Sequence, residues 1–141
     1  FPFKEQVVHE AWLGDLLGRA ATAGALDGIV VADEVVDAFV ALRLLRLHNW
    51  RTLSRLGRGV APGPETSVAK LVWETATRRV SDLALHLAGM AAPLAAGAVD
   101  LPDDGVWQRQ WLWSHASTIA GGTTEIQKNV VAERLLGLPR G

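Results

Sequence analysis

The sequence contains no cysteine and no tyrosine, and it carries almost no net charge. Without cysteine the chain cannot build a disulfide framework or use a thiolate in catalysis. The formal net charge of −1 comes without a block of either sign, which argues against nucleic acid or an anionic membrane as the partner. The lack of cysteine also fits a reducing compartment, so we expect a cytoplasmic protein.

Long apolar runs are missing as well. The longest one, residues 83–99, is interrupted by His86 and Pro93 and is too short to span a membrane. The first residue is Phe1 rather than Met, and no basic leader follows it. We therefore expect an internal fragment of a longer protein, or a processed subunit. With 141 residues, 49% of them hydrophobic, the length and composition suit one domain with a sizeable core.

Helical periodicity dominates the sequence, and the alternation typical of strands is scarce. The third predicted helix repeats apolar residues at positions 68, 72, 76, 80, 83, 84 and 87, with Lys70 and Glu74 paired on its exposed side. The second helix has an apolar face at 35, 36, 39, 40, 42, 47, 50 and 53. These patterns predict an all-α fold, an antiparallel helical bundle. The five predicted helices span about 4–23, 31–56, 65–90, a segment with Trp107, Trp111 and Trp113, and 124–136, with a loop at 91–105.

Familiar catalytic and metal-binding patterns are absent from the sequence. No Gly-x-Ser-x-Gly motif is present, and the glycine-rich pieces fit neither the dinucleotide nor the P-loop template. The arginines of the second helix are more consistent with a solvated helix face than with a nucleic-acid surface. Trp107, Trp111 and Trp113 could line a pocket or an interface, or could belong to the core. No histidines are spaced for a shared metal ion, so we expect no metal site; they are His9, His48, His86 and His115.

Two adjacent glycines, Gly121 and Gly122, directly precede the last predicted helix. Glycine allows a sharp break of the backbone and the close approach of a large group to the main chain. The following helix N-terminus, with the hydroxyls of Thr123 and Thr124, could receive a phosphate or a polar edge of a cofactor. The alternative is a plain turn between two helices, closed by a capping box of Thr124 and Gln127. Spacing alone favours the plain turn.

The segment "TIAGGTTEIQKNVVAERLLGLPRG", residues 118–141, closely resembles the C-terminal signature of the acyl-CoA dehydrogenase family. The segment "PGPETSVAKLVWE", residues 62–74, resembles a second segment of that family's actinobacterial-type branch. The resemblance extends over the whole chain and is strongest at its end. It implies that residues 1–141 form the family's C-terminal helical-bundle domain, and that the N-terminal helical and middle β domains lie outside this chain.

The resemblance also implies an activity and its partners. Members of the family bind FAD between the middle and C-terminal domains and form dimers or tetramers. A carboxylate removes the α-proton of an acyl-CoA thioester, and hydride passes from the β-carbon to the flavin, giving the trans-2-enoyl-CoA. The electrons then go to an electron-transfer flavoprotein. We therefore expect FAD, acyl-CoA, the electron-transfer flavoprotein and further subunits, identical or different, as partners.

The family's functional positions can be carried over one at a time onto the segment that matches. Gly121 stands where many members have the catalytic glutamate, so no carboxylate can act from that position. Gly122 matches the family glycine, and Thr123 matches the threonine that contacts the flavin. Glu125 matches a cofactor-contacting position. Gly122, Thr123, Glu125 and the neighbouring Thr124 are therefore the predicted cofactor-binding residues.

Other family members place the base on the first helix of this domain. That helix offers Glu5 and Glu10, and an approximate alignment puts the base slightly before Glu5. Glu5 is therefore the candidate base within this chain, with an upstream residue as the alternative. A further departure is Leu85, which stands in "LHLAG" where the family has a cofactor-binding glutamine.

These departures leave three hypotheses open. The chain could belong to a catalytic dehydrogenase, to a catalytically silent subunit of a heteromeric dehydrogenase, or to a helical interaction module without a cofactor. A carboxylate at the start of the first helix would distinguish the first two, and flavin would exclude the third. The acyl group stays open among straight-chain, branched and steroid-linked thioesters.

Overall fold

The computed structural model describes residues 2–95, 97–99 and 102–140, apart from the side chain of Pro102. All regular structure in these ranges is helical, which confirms the predicted fold class. The predicted loop at 91–105 is described in part, since positions 96, 100 and 101 lie outside the described residues. The five helices are α1 Phe3–Thr22, α2 Ile29–Leu56, α3 Glu65–Ala88, α4 Val106–Ala116 and α5 Thr124–Val130, with a π-helical turn at Val131–Leu135 after α5.

Polar side-chain contacts at both ends of α2 and α3 show that these helices run antiparallel. Near the end of α2, Arg55 Nε lies 3.1 Å from Glu65 Oε1 at the start of α3. At the opposite end, Glu34 Oε2 lies 2.6 Å from His86 Nδ1. The linker between the helices contains two prolines and two glycines between residues 59 and 64, which end α2 and let the chain reverse.

The neighbouring helices pack in the same alternating sense. Asn49, late in α2, donates from Nδ2 to Gln6 Oε1 at the start of α1, at 3.2 Å. Gln108, near the start of α4, donates from Nε2 to the carbonyl of Ala91, just past the end of α3, at 3.0 Å. These contacts confirm an antiparallel bundle, and α3 contacts all of the other helices.

The core lies where α1, α2, α3 and α4 meet. Alanines at 38, 41, 76 and 84 let the helix backbones approach closely, and leucines and Trp107 fill the space around them. The predicted core face of α3 is confirmed at its centre, where Ala76, Val80, Leu83 and Ala84 are buried. The buried apolar cluster consists of Leu13, Leu16, Ala38, Ala41, Leu42, Leu45, Ala76, Val80, Leu83, Ala84 and Trp107.

The predicted apolar face of α2 is mostly wrong. Of the positions predicted, Leu42 is buried, and six of the others are 45–57% exposed. The helix is apolar on more than one side, and the alanine-containing side is the one that α3 covers. Short side chains allow a closer approach of the two backbones, which sequence periodicity does not reveal. The six exposed residues are Val36, Phe39, Val40, Leu47, Trp50 and Leu53.

The tryptophans near α4 have different surroundings. Trp107 is buried, and its ring packs edge-on against Trp12 with centroids 5.5 Å apart. Trp111 hydrogen-bonds to Asp82, whereas Trp113 is 70% exposed. Trp107 therefore belongs to the core, and Trp113 belongs to the surface.

Candidate functional site

The two glycines form a turn that only glycine adopts without strain. Gly121 has a φ of +71° and Gly122 a φ of +97°, and both values lie in the left-handed region. For any other residue this conformation costs roughly 1–2 kcal/mol. A Cβ at Gly121 would meet nothing within 4 Å, whereas a Cβ at Gly122 would lie 2.7 Å from Gln127 Nε2. The backbone at Gly121 is thus open to a neighbouring group.

The helix cap lies one residue earlier than the predicted capping box. Thr123 is the N-cap of α5, and its Oγ1 accepts a hydrogen bond from the backbone N–H of Ile126 at 3.4 Å. Gln127 Nε2 reaches back to the carbonyl of Gly121 at 2.7 Å. The predicted capping box of Thr124 and Gln127 is therefore wrong, because the glycine turn brings the Gly121 carbonyl within reach of the Gln127 side chain. The amides of Gly121, Gly122 and Thr123 find no acceptor among the described residues.

Glu125 is tied to the turn rather than extended away from it. Its own backbone amide and the hydroxyl of Thr123 hold the pKa of its carboxyl below the usual value. The side chain therefore stays ionised at neutral pH, and its negative charge stabilises the positive end of the α5 helix dipole. It is exposed, as expected for a carboxylate at the first turn of a helix.

Thr124 connects the turn to α3 through a buried carboxylate. Its Oγ1 donates to Glu74 Oε2 at 2.9 Å, and Lys70 forms an ion pair with the other oxygen of Glu74. Glu74 is only 5% exposed, so the predicted exposed Lys70 and Glu74 pair is wrong. The loop before α5 folds over this side of α3 and covers the pair. Burial lowers the pKa of Lys70, and the nearby charge of Glu125 partly opposes this effect.

A cleft of about 570 Å³ lies between the start of α1, the start of α3 and the glycine turn. It brings together Glu5 and Gly121, which come from opposite ends of the chain. The predicted cofactor residues Gly122, Thr123, Thr124 and Glu125 lie around the turn, next to the cleft wall rather than in it. The residues that line the cleft are Pro2, Glu5, Pro62, Thr66, Lys70, Trp73, Ala120 and Gly121.

The cleft distinguishes between the two glutamates of α1. Glu10 is engaged by Arg46 of α2, on another side of α1. Glu5 is half-buried and lines the cleft. Of the two, Glu5 is therefore the one that shares the cleft with Gly121.

Sequence reasoning missed Lys70, Trp73, Thr66 and Pro62 as cleft residues. All four belong to the stretch 62–74, which resembles a family segment. Their motif was visible, but helical spacing alone did not show which side of α3 faces the cleft. Leu85 packs against the core, which explains how an apolar residue is accommodated at that position.

In residues 2–95, 97–99 and 102–140, no three histidine, aspartate or glutamate side chains come together as metal ligands would. Among the helices of those same ranges, none combines the length and apolar character needed to cross a bilayer.

Alanine substitutions at the two glycines should separate backbone strain from steric conflict. We expect Gly121→Ala to lower the free energy of unfolding by about 1–2 kcal/mol, through its positive φ alone. Gly122→Ala should cost more, because its methyl group also displaces Gln127 from the Gly121 carbonyl. Urea denaturation of both variants checks the order, and equal costs would contradict it.

Comparisons with known proteins identify the family of this chain. The model of the acyl-CoA dehydrogenase C-terminal domain matches residues 8–136. The acyl-CoA dehydrogenase IpdE1 of Mycobacterium tuberculosis is 33% identical over 138 residues, which is 96% of this chain and 34% of the relative. The IpdE1 of Mycolicibacterium smegmatis is 33% identical over 137 residues, 96% of this chain and 32% of the relative. The chain thus spans about a third of the length of these curated relatives.

Solved structures share the fold. The structure described as the Tcur3481-Tcur3483 steroid ACAD superposes with a TM-score of 0.84 at 20% identity, over 94% of this chain and 35% of that one. The ChsE4-ChsE5 complex from Mycobacterium tuberculosis gives a TM-score of 0.80 at 25% identity, over 94% and 35% of the respective chains. The chain belongs to the acyl-CoA dehydrogenase family and corresponds to its C-terminal domain.

Proposed function

We propose that this chain is the C-terminal domain of a longer FAD-dependent dehydrogenase that converts an acyl-CoA thioester into its trans-2-enoyl-CoA. The observation that carries this proposal is the shared cleft of Glu5 and Gly121. The position where many family members have their base holds glycine, and a carboxylate from α1 lines the same cleft. In this proposal the cleft still contains a carboxylate, supplied by α1, although glycine occupies the usual position of the base.

Glu5 is the proposed base. A carboxylate at the cleft wall can take the α-proton of an acyl thioester that lies between it and the turn, provided that it is within hydrogen-bond reach. Gly121 leaves the space that this approach needs, because nothing lies within 4 Å of where its Cβ would be. Bound FAD would supply the acceptor for the hydride that leaves the β-carbon, and an electron-transfer flavoprotein is the proposed electron acceptor.

The described residues fit the edge of a flavin. The cleft wall carries the flat ring of Trp73 and two prolines, which suit an aromatic ring system. The unused amides of Gly121, Gly122 and Thr123 can donate to carbonyl or phosphate oxygens. In this proposal Thr123 and Glu125 hold the turn in shape, as their mutual hydrogen bond indicates, while the main chain of the turn makes the cofactor contacts.

A second candidate is a subunit of a heteromeric dehydrogenase in which another chain supplies the base. Two observations favour it. Leu85 offers no polar contact at a position where the family has glutamine. The ChsE4-ChsE5 neighbour is described as a complex of two proteins. In either case we propose an oligomer, because α2 exposes an apolar surface formed by Val36, Val40, Leu44 and Leu47.

Charges placed on this α2 apolar surface should weaken the assembly. We expect Leu44→Glu combined with Leu47→Glu to raise the dissociation constant of the oligomer at least about 100-fold, because an unpaired charge is costly to bury. Both residues are about half exposed in the isolated chain, so folding should persist. Val99→Glu, at a position 85% exposed in a loop, is the matched control. Light scattering and sedimentation measure the change, and an unchanged assembly would remove this surface from the interface.

The test of the proposed function is a spectroscopic titration of the complete protein that contains this chain, purified with any subunit that accompanies it. We expect a flavin absorbance spectrum that an acyl-CoA bleaches under anaerobic conditions. A colourless protein that stays colourless after addition of FAD would exclude the enzyme and leave the turn as a helix connection.

A further inference from the structure

Glu74 is a buried carboxylate that contacts one residue of the cleft wall and one residue beside the glycine turn. It lies midway along α3 and is 5% exposed. One oxygen pairs with Lys70, which lines the cleft, and the other accepts the hydroxyl of Thr124 at 2.9 Å. Thr124 comes directly after the glycine turn. One side chain therefore holds the α3 wall and the turn in a fixed relation.

Thr124 is anchored twice. Besides the hydroxyl bond to Glu74, its backbone N–H donates to the carbonyl of Thr118 at 3.2 Å. These two bonds close residues 118–124 into a loop and fasten that loop to α3. The left-handed turn at Gly121 and Gly122 lies inside the closed loop, so its position depends on the anchor.

Stability alone does not explain this arrangement. A buried ion pair often contributes no more to stability than apolar side chains of similar size. A buried carboxylate with two partners from different elements does, however, fix geometry, because each partner is held by a charge-assisted interaction. The burial that lowers the pKa of Lys70 also shields the cluster from solvent.

We propose that Glu74 is a positioning residue, which holds the glycine turn against the cleft by accepting the hydroxyl of Thr124. It contacts neither substrate nor cofactor and acts through Thr124 and Lys70. The assignment rests on the proposed function in so far as the cleft receives the flavin and the acyl thioester. The fastening of the turn itself can be tested without either ligand.

The test compares Thr124→Val with Thr124→Ser in the complete protein. Valine keeps the shape of threonine and removes the hydroxyl, whereas serine keeps the hydroxyl. We expect hydrogen-deuterium exchange in peptides covering residues 119–124 to become about tenfold faster in the valine variant, since a hydrogen bond to a charged group is lost. Exchange in α1 and α2 should not change, and the serine variant should behave like the wild type.

FAD affinity, measured by titration of its absorbance, is the second readout. We expect it to fall at least about tenfold in the valine variant and to recover in the serine variant. Unchanged exchange at the turn would overturn the proposal, and so would a uniform rise along the whole chain, which indicates a merely structural role. A looser turn with unchanged FAD affinity would overturn the positioning role. A wild type that takes up no FAD overturns the proposed function, and the exchange comparison still decides whether Glu74 fastens the turn.

Discussion

Replacing Glu5 with glutamine in the complete protein should lower kcat by about 10²–10⁴-fold, the usual contribution of a positioned general base. Glutamine keeps the size of the side chain at the cleft wall but cannot accept the α-proton. The affinity for FAD should therefore stay close to that of the wild type. Steady-state kinetics with an acyl-CoA, together with flavin absorbance, measure both quantities.

Asp15→Asn is the matched control for this substitution. Asp15 is another carboxylate of α1, it lies outside the cleft, and it pairs with Arg19 at the surface. We expect the kcat of the Asp15→Asn variant to stay within about twofold of the wild type, because exposed ion pairs contribute little to stability. A Glu5→Gln variant with full activity would exclude Glu5 as the base. It would place the base upstream of this chain or on another subunit.

Replacing Lys70 with methionine should lower the free energy of unfolding by about 3–5 kcal/mol, because the buried carboxylate of Glu74 then has no charged partner. The side chains of Lys70 and Glu74 are 13% and 6% exposed, so solvent cannot compensate. Adding Glu74→Gln to the methionine variant should restore most of the loss, because a neutral amide costs far less to bury than an unpaired charge.

Arg79→Met is the control for this cycle. Arg79, also on α3, pairs with Asp37 of α2, but both side chains are about half exposed. Its loss should cost no more than about 1 kcal/mol. Urea denaturation gives all of these values. A Lys70→Met variant as stable as Arg79→Met would show that water reaches Glu74, and it would contradict the buried cluster.

The sequence predicts the helices well because their periodicity is local. The core positions Ala76 and Val80 follow from the spacing along α3, and they are buried as predicted. The same reasoning failed for α2, which is apolar on more than one side. There the close approach permitted by Ala38 and Ala41 decided which side is buried.

The site was predictable in its residues but not in its geometry. The glycine turn was identified as a special backbone position, and both glycines have positive φ values. The prediction that Lys70 and Glu74 form an exposed pair was wrong, because i, i+4 spacing is the same on a solvated face of a helix and on a face covered by a loop. The covering segment lies about 50 residues away in sequence, as the separation of Glu74 and Thr124 shows. Likewise, only the fold places Glu5 and Gly121 on one cleft.

Glu5 and Gly121 are proposed to form two walls of a single acyl-thioester site. The most direct test is a crystal structure of the complete protein with FAD and an unreactive thioether analogue of an acyl-CoA. We expect the α-carbon of the analogue to lie within hydrogen-bond reach of the Glu5 carboxylate, with the main chain of Gly121 beside the flavin. An analogue bound away from this cleft, with Glu5 facing only solvent or protein, would contradict the claim.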